Sequence, residues 1–293
     1  MNLLKSVFIS VFVTWLAAIS IYSLYRLAGG SEPMLSWLGL ALTAVPPAVF
    51  FIKAFLAKSP RTPSHPVEFS VLSALGLALT MGISFRYGQA AGNIHVLSGI
   101  TMIGWMLYLR WYSVFRGRSA QALSVGSPLP VFRLESLDGH TVSSESFRAK
   151  PHLLLFYRGN WCPFCTAQIE ELANAYRRLE ELGVSIVLIS PQSIKKNQSL
   201  AKHFDVPMVF LRDPKSFAAK QLGILHKWGT PMGMQLLGYD SDTVMPTVIL
   251  TDTQGQIILS DQTDNYRVRP EPRVIEALLR ADNPDTGDKQ LFS

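Results

Sequence analysis

Cysteine is almost absent from this 293-residue chain, which has only two, Cys162 and Cys165. Two are too few for a disulfide-stapled secreted scaffold. They also leave a zinc site short of ligands: there is no second pair, and His152, His203 and His226 are scattered without ligand spacing. Charge is scarce as well, 16% of residues against about 25% in a typical soluble domain. Acidic residues are nearly missing from residues 1–118, with two Asp/Glu against nine Lys/Arg, a net of +7. Residues 119–293 carry nineteen acidic and eighteen basic side chains, a net of −1. The basic excess therefore lies in the first part and supports no nucleic-acid-binding face on the second. No glycine loop of the phosphate-cradling kind is visible, so neither a nucleotide nor a metal cofactor is implied.

What the first part does have is long apolar runs. A hydrocarbon core about 30 Å thick needs roughly 20 apolar residues in a helix. Residues 6–25 and 33–52 are each free of charge, as are 69–85 between Glu68 and Arg86. A fourth candidate, 94–115, contains Arg110 near one end, where a long side chain reaches the interface beside Trp111 and Tyr112. This predicts four spans and a lipid bilayer as partner. A cleaved signal peptide is the competing reading of the first run, but its apolar stretch is too long and no clear cleavage site follows. Pro46 and Pro47 should kink the second helix. The span interiors hold no Asp, Glu or His, so a plain anchor is the simplest role. Lys5, Lys53, Lys58, Arg61, Arg110, Arg116 and Arg118 fall on one side of such a bundle, against Arg26 and Arg86 on the other. The positive-inside rule then places the second part in the cytoplasm, and on the opposite side if the fourth run does not cross.

From Val125 the texture changes to short apolar runs separated by turns. Asp138-Gly139 and Gln254-Gly255 each sit between apolar runs as hairpin turns. Residues 152–157 and 184–190 read as buried strands. Between them Ile169, Leu172, Tyr176 and Leu179 recur at helical spacing, and Gly183 ends that helix. The strand–helix–strand unit implies a parallel pair. Residues 271–281 supply a closing helix, 282–293 a flexible tail, and 119–128 the linker. The expected organisation is thus a membrane region over 1–118 and an α/β domain over 119–281.

Both cysteines lie in "FYRGNWCPFC" (156–165), between a buried strand and a helix start. That junction offers unpaired backbone N–H groups and the positive end of a helix dipole, both favourable to a thiolate. Pro163 suits the first helical turn, where its missing donor costs nothing. Arg158 is close enough in sequence to add charge, or to cover a surface carboxylate instead. A redox-active pair fits this setting better than two inert core cysteines or half a metal site. Pro246 opens a late strand in "VMPTVIL"; a cis Met245–Pro246 bond would let that backbone lie against the sulfurs, and an ordinary strand-start proline is the alternative.

At this point the residues resemble a known group. "VGSPLPVFRLESLDGHTVSSESFRAKPHLLLFYRGNWCPFC" is similar to the opening of the peroxiredoxin-like AhpC/TSA (redoxin) branch of the thioredoxin superfamily, and "FDVPMVFLRDPKSFAAKQLGI" to its middle. The resemblance covers about 122–281 and implies a thioredoxin-like α/β fold, a central mixed sheet flanked by helices. In thioredoxin-type members Cys162 would attack a substrate disulfide and Cys165 would resolve it. In peroxiredoxins the peroxidatic cysteine matches Cys165, the position of Cys162 is normally Thr or Ser, and an arginine stands where this chain has Pro246. Both departures lean towards disulfide exchange, although a Cys162 thiol also resolves a Cys165 sulfenic acid. Trp161 matches the tryptophan before thioredoxin-type pairs and shapes the approach to sulfur or simply packs.

The expectation is a membrane-anchored thiol oxidoreductase that cycles a Cys162–Cys165 disulfide. It would draw electrons from thioredoxin, glutathione or a membrane partner and pass them to a peroxide or protein disulfide. The alternative is a non-enzymatic, membrane-tethered redox sensor. A transmembrane electron relay is disfavoured because the spans contain no cysteine.

Overall fold

The computed structural model describes residues 1–56, 59–88, 93–115, 118 and 121–282. Helices α1 (Asn2–Ala28), α2 (Met34–Leu56) and α3 (Val67–Tyr87) have 27, 23 and 21 residues. At 1.5 Å per residue each is roughly 30 Å or longer, enough to cross a hydrocarbon core. They are three helices long and apolar enough to span a membrane, where the sequence suggested four. The fourth run forms a shorter helix, α4 (Ile94–Leu107), of 14 residues. A π-helical turn over Tyr108–Tyr112 continues it, with Ser113 N–H bonded to the Tyr108 carbonyl at 3.0 Å. Trp105, Tyr108 and Tyr112 stack there at 5.6 and 5.7 Å. The wider turn keeps those rings in register and ends the α-helix early. α2 runs unbroken through Pro46 and Pro47.

Small residues let these helices close up. A Cβ on Gly76 would sit 2.5 Å from the Gly39 carbonyl oxygen and 2.5 Å from the Thr43 nitrogen. The backbones of α2 and α3 therefore touch directly, the close approach that small residues permit between apolar helices. α1 packs alongside, with the Phe12 ring seated where Gly104 lacks a side chain.

A seven-stranded mixed sheet follows, ordered β2-β1-β5-β4-β3-β8-β9. Its strands are β1 (Arg133–Ser136), β2 (Thr141–Ser143), β3 (His152–Phe156), β4 (Ser185–Ser190), β5 (Val209–Arg212), β8 (Thr247–Thr251) and β9 (Ile257–Asp261). β6 (Leu225–His226) and β7 (Thr243–Val244) form a separate two-stranded ribbon. β3 is buried along its whole length and lies parallel to β4, with Leu154 opposite Val187, and antiparallel to β8. Helices α5 (Pro163–Asn174), α6 (Tyr176–Glu181), α7 (Ile194–Ala201), α8 (Phe217–Gln221) and α9 (Pro272–Asp282) flank it. This is a thioredoxin-like α/β arrangement. The helix read as continuous to Gly183 is broken at Ala175 into α5 and α6. Both expected hairpins are present, turning at Gly139 (φ +84°) and Gly255 (φ +79°). Arg212 pairs with Glu135 at 3.0 Å across β5 and β1, and Asp213 accepts from the Ala218 and Ala219 amides. The expected tail (beyond Asp282), Ser119 and Ala120 of the expected linker, Lys58 and Arg116 lie outside the described residues.

The helices dock on the second part through residues 265–269 and through separate contacts to α5 and to Thr230. The buried Arg267 donates to Ser113 Oγ at 3.1 Å, Thr62 Oγ1 at 3.0 Å, the Pro63 carbonyl at 2.8 Å and the Ser64 carbonyl at 3.0 Å. Tyr266 and Tyr108 share a hydroxyl–hydroxyl bond of 2.8 Å. Arg61 forms a fork with Glu171 of α5. The start of α1 joins the same contact, with Ser6 Oγ donating to the Thr230 carbonyl at 2.6 Å.

The close α2–α3 contact generates a direct comparison. Gly76→Ala should lower the thermal stability of the full chain in detergent by about 1–3 kcal/mol, the usual cost of overpacking. Gly82→Ala on the same helix meets nothing within 4 Å and should leave stability unchanged or slightly raised. Equal effects would refute the close contact.

Candidate active site

β3 ends at Phe156, and the chain turns through Tyr157–Trp161 into α5. Gly159 allows the turn: its φ is +148°, and a Cβ there would lie 2.8 Å from the Trp161 indole nitrogen. Cys162 is the N-cap of α5, with Pro163 in the first turn. The Cys165 amide donates to the Cys162 carbonyl at 3.0 Å, with Cys162 at the N-cap and Cys165 the third residue of the helix. The two sulfurs are 2.6 Å apart in a free dithiol.

The two thiols differ in environment. Cys165 is fully buried, and burial pushes its pKa up. Four opposing influences outweigh that and bring it down to about 5: the hydrogen bond with Cys162, the Arg269 guanidinium, the Arg158 backbone N–H and the Arg158 guanidinium. Arg269 Nη2 reaches the sulfur at 3.5 Å. Arg269 is itself held by Gln168 Oε1 at 2.6 Å and by the Tyr266 carbonyl at 3.1 Å. Cys162 moves the other way: burial raises its pKa, and its bond to the Cys165 sulfur and the neighbouring thiolate charge raise it further. The site holds one thiolate and one thiol, with the charge on the sulfur farther into the helix.

Arg158 is buried, donates to the Gly229 carbonyl, and lies over the Trp161 ring at 4.6 Å. Among the described residues it makes no salt bridge with a carboxylate. Trp161 thus packs against a cation beside the sulfurs. Met245 and Pro246 behave differently from the expectation. The cis peptide bond among the described residues is Glu32–Pro33, so Met245–Pro246 is trans. Pro246 stands just before β8 as a strand-start proline, its carbonyl accepting from Arg118 Nη2 at 2.7 Å. Arg118 also reaches Thr247 Oγ1 at 2.7 Å.

Arg269, Gln168 and Tyr266 were missed by the sequence reading. Arg269 lies far downstream of the late strand where an arginine was sought, and it arrives by the chain's return over α5. The one available signal was a pair of arginines, Arg267 and Arg269, in a short segment before a helix.

The AhpC/TSA family matches residues 125–260. Residues 125–260 are peroxiredoxin-like. A chloroplastic peroxiredoxin Q of Triticum aestivum is 31% identical over 124 residues, 42% of this chain and 57% of the relative. A putative peroxiredoxin bcp of Haemophilus influenzae is 28% identical over 159 residues, 54% of this chain and 97% of the relative. The crystal structure of peroxidoxin BcpB from Mycobacterium tuberculosis aligns over 54% of this chain and 97% of its own, at 21% identity and a TM-score of 0.45. The chain spans only 57% of the wheat protein, and its peroxiredoxin-like part is preceded by the helices α1–α4.

The depressed Cys165 pKa sets the pH behaviour. The thiolate is present at neutral pH and is lost as pH falls through about 5, by about tenfold for each further unit. Its contribution to stability has the same sign: full above the free-thiol range and lost on acidification towards that value. Ultraviolet absorbance of the thiolate in the reduced wild-type chain should show this titration, with Cys162 held protonated over that range, and Arg269→Met should move its midpoint up. A midpoint unmoved by Arg269→Met contradicts the assignment.

Proposed function

We propose that the chain is a membrane-anchored thiol peroxidase in which Cys165 attacks and Cys162 resolves. The observation that carries this is Arg269 Nη2 at 3.5 Å from the buried Cys165 sulfur, with Cys162 adjacent to it. The Cys165 thiolate attacks a peroxide oxygen, the O–O bond breaks, and an alcohol or water leaves after taking up a proton. Cys165 becomes a sulfenic acid. The adjacent Cys162 thiol then displaces water from it, forming the Cys162–Cys165 disulfide, and a donor returns two electrons to restore the dithiol. A thiol such as thioredoxin or glutathione is the simplest donor. Arg269 supplies the guanidinium that Pro246 cannot, which removes one of the two departures that pointed to disulfide exchange.

The anchor reading rests on the three helices of spanning length. Its orientation is supported by docking at one end. Ser6 at the start of α1 and Arg61 after α2 both touch the peroxiredoxin-like part, so the N-terminus and this part share a side whether or not α4 crosses. Lys5, Lys53, Arg61 and Arg118 belong to that end, and Arg26 and Arg86 to the other, which favours the cytoplasm. Ser146 is exposed on the sheet side. A cysteine placed there should resist a membrane-impermeant maleimide in intact cells and react after permeabilisation.

Turnover kinetics test the chemistry. With hydrogen peroxide and dithiothreitol, the full chain in detergent should consume peroxide over many cycles. Cys165→Ser should lose even the first fast oxidation. Cys162→Ser should keep that first event, fail to form the disulfide, and accumulate sulfinic acid at Cys165. A single oxidation without further consumption in wild type would instead make the protein a sensor.

A further inference from the structure

The connection between β6 and β7 is apolar where a loop in water would be polar. Residues 228–239 carry no charge, between Lys227 and Asp240. A short helical turn over Met234–Leu237 leaves Leu236 92% and Leu237 63% exposed, with Met232 at 50% just before it. Single exposed leucines are ordinary on a protein surface. Large apolar side chains exposed together over residues 232–237 mark a surface that something else covers.

The place of this segment along α1 identifies the cover. Lys5 is the last charge before the charge-free run 6–25, and its ammonium donates to the Val114 carbonyl at 2.6 Å. Past Lys5, Ser6 Oγ donates to the Thr230 carbonyl at 2.6 Å, the Met232 amide to the Ser6 carbonyl at 3.1 Å, and Ser10 Oγ to the Met232 carbonyl at 2.8 Å. Between Ser6 and Ser10 the helix advances about 6 Å. The segment therefore descends beside the first turn of the spanning run. Farther along, Met234 and Leu237 share a cavity of about 810 Å³ with Val13 and Thr14 of α1, and Cys162 lines the same cavity from the other side.

Backbone that enters hydrocarbon must bring its own hydrogen-bond partners. The Met232 amide has Ser6, and the Gly233 amide donates to Gln235 Oε1 at 3.0 Å. The amides of Met234, Leu236 and Gly238 donate to the carbonyls of Pro231, Gly233 and Gln235 at 3.2, 3.1 and 2.9 Å. Lys196 Nζ donates to the Leu237 carbonyl at 2.7 Å and lies 4.1 Å from the Tyr239 ring centre. A lysine so placed covers apolar surface with its stem and keeps its charge at the headgroups. Trp228, half exposed at the other end of the charge-free run, suits the same interfacial layer.

We propose that residues 232–237 are embedded in the lipid bilayer beside α1, as a second attachment of the peroxiredoxin-like part to the membrane. This rests on the reading of α1–α3 as spanning helices. Leu236 and Leu237 then lie among acyl chains, and the cavity in front of Cys162 sits at the depth where α1 enters the bilayer.

The test is spin-label spectroscopy of the full chain in nanodiscs of phosphatidylethanolamine and phosphatidylglycerol. The label is attached at Leu236→Cys in a chain that also carries Cys162→Ser and Cys165→Ser, so that no native thiol competes. Ala18→Cys, exposed on α1, and Ser146→Cys, exposed on the sheet side, supply the lipid and water references. Collisions with dissolved oxygen, which partitions into lipid, are compared with collisions with a water-soluble nickel chelate. The oxygen-to-nickel ratio at Leu236 should exceed that at Ser146 severalfold and approach that at Ala18. Leu237→Cys should behave in the same way, and it decides the matter if Leu236→Cys does not fold. A Leu236 label open to nickel, with Ala18 in lipid, overturns the proposal and leaves the anchor standing. A label shielded from both reagents also overturns it, because protein, such as a second copy of the chain, then covers the segment. An Ala18 label open to nickel overturns the anchor reading and the proposal together.

Discussion

The site depends on one interaction, the guanidinium of Arg269 against the sulfur of Cys165. A fully buried thiol has no reason to ionise, since burial favours its neutral form. Here the hydrogen bond with Cys162, the Arg269 guanidinium, and the Arg158 amide and guanidinium together reverse that preference. Arg269 reaches the sulfur only because residues 265–269 are fixed at both ends of their contact. Arg267 is buried among Ser113, Thr62 and the Pro63 and Ser64 carbonyls, and Arg61 donates to the Arg269 carbonyl at 3.2 Å. The side chain that holds the charge and the side chain that grips the helices are two residues apart.

That arrangement ties the helical region to the chemistry. The connection between α2 and α3 bonds to Arg267, α4 ends on Tyr266, and α1 docks on Thr230. The helices therefore do more than lie beside the sheet: they form one wall of the space in front of Cys162. The two sulfurs divide their roles by position. Cys165 is fully buried beside Arg269, and Cys162 lines the cavity.

Much of the fold was legible because it is local. Strand β3 announces itself as a continuous apolar run, the hairpins by their Asp-Gly and Gln-Gly turns, and α5 by its apolar spacing behind Pro163. The three long helices follow from charge-free runs of sufficient length. What was misread depends on contacts distant in sequence. The fourth run has the composition of a span, yet its α-helix stops after 14 residues at a π turn whose Tyr108 bonds the distant Tyr266. Pro246 invited a cis bond, but it is a trans strand-start proline whose carbonyl accepts from the distant Arg118. Cys162, Cys165, Arg158 and Trp161 were visible as a motif and do come together. Arg269 and Gln168 were not, because nothing in their spacing says that the return of the chain crosses α5 at the thiolate.

The central claim, that the charge sits on Cys165 and makes it the first sulfur oxidised, has a direct measurement. Reduced wild-type chain in detergent is given less than one equivalent of hydrogen peroxide in a large excess of dimedone, which captures sulfenic acids. Mass spectrometry of the digested chain then locates the adduct. The expected result is a dimedone adduct on Cys165 and none on Cys162. An adduct on Cys162 would contradict the account, because it would mean that the sulfur facing the cavity, and not the one held by Arg269, carries the reactive thiolate.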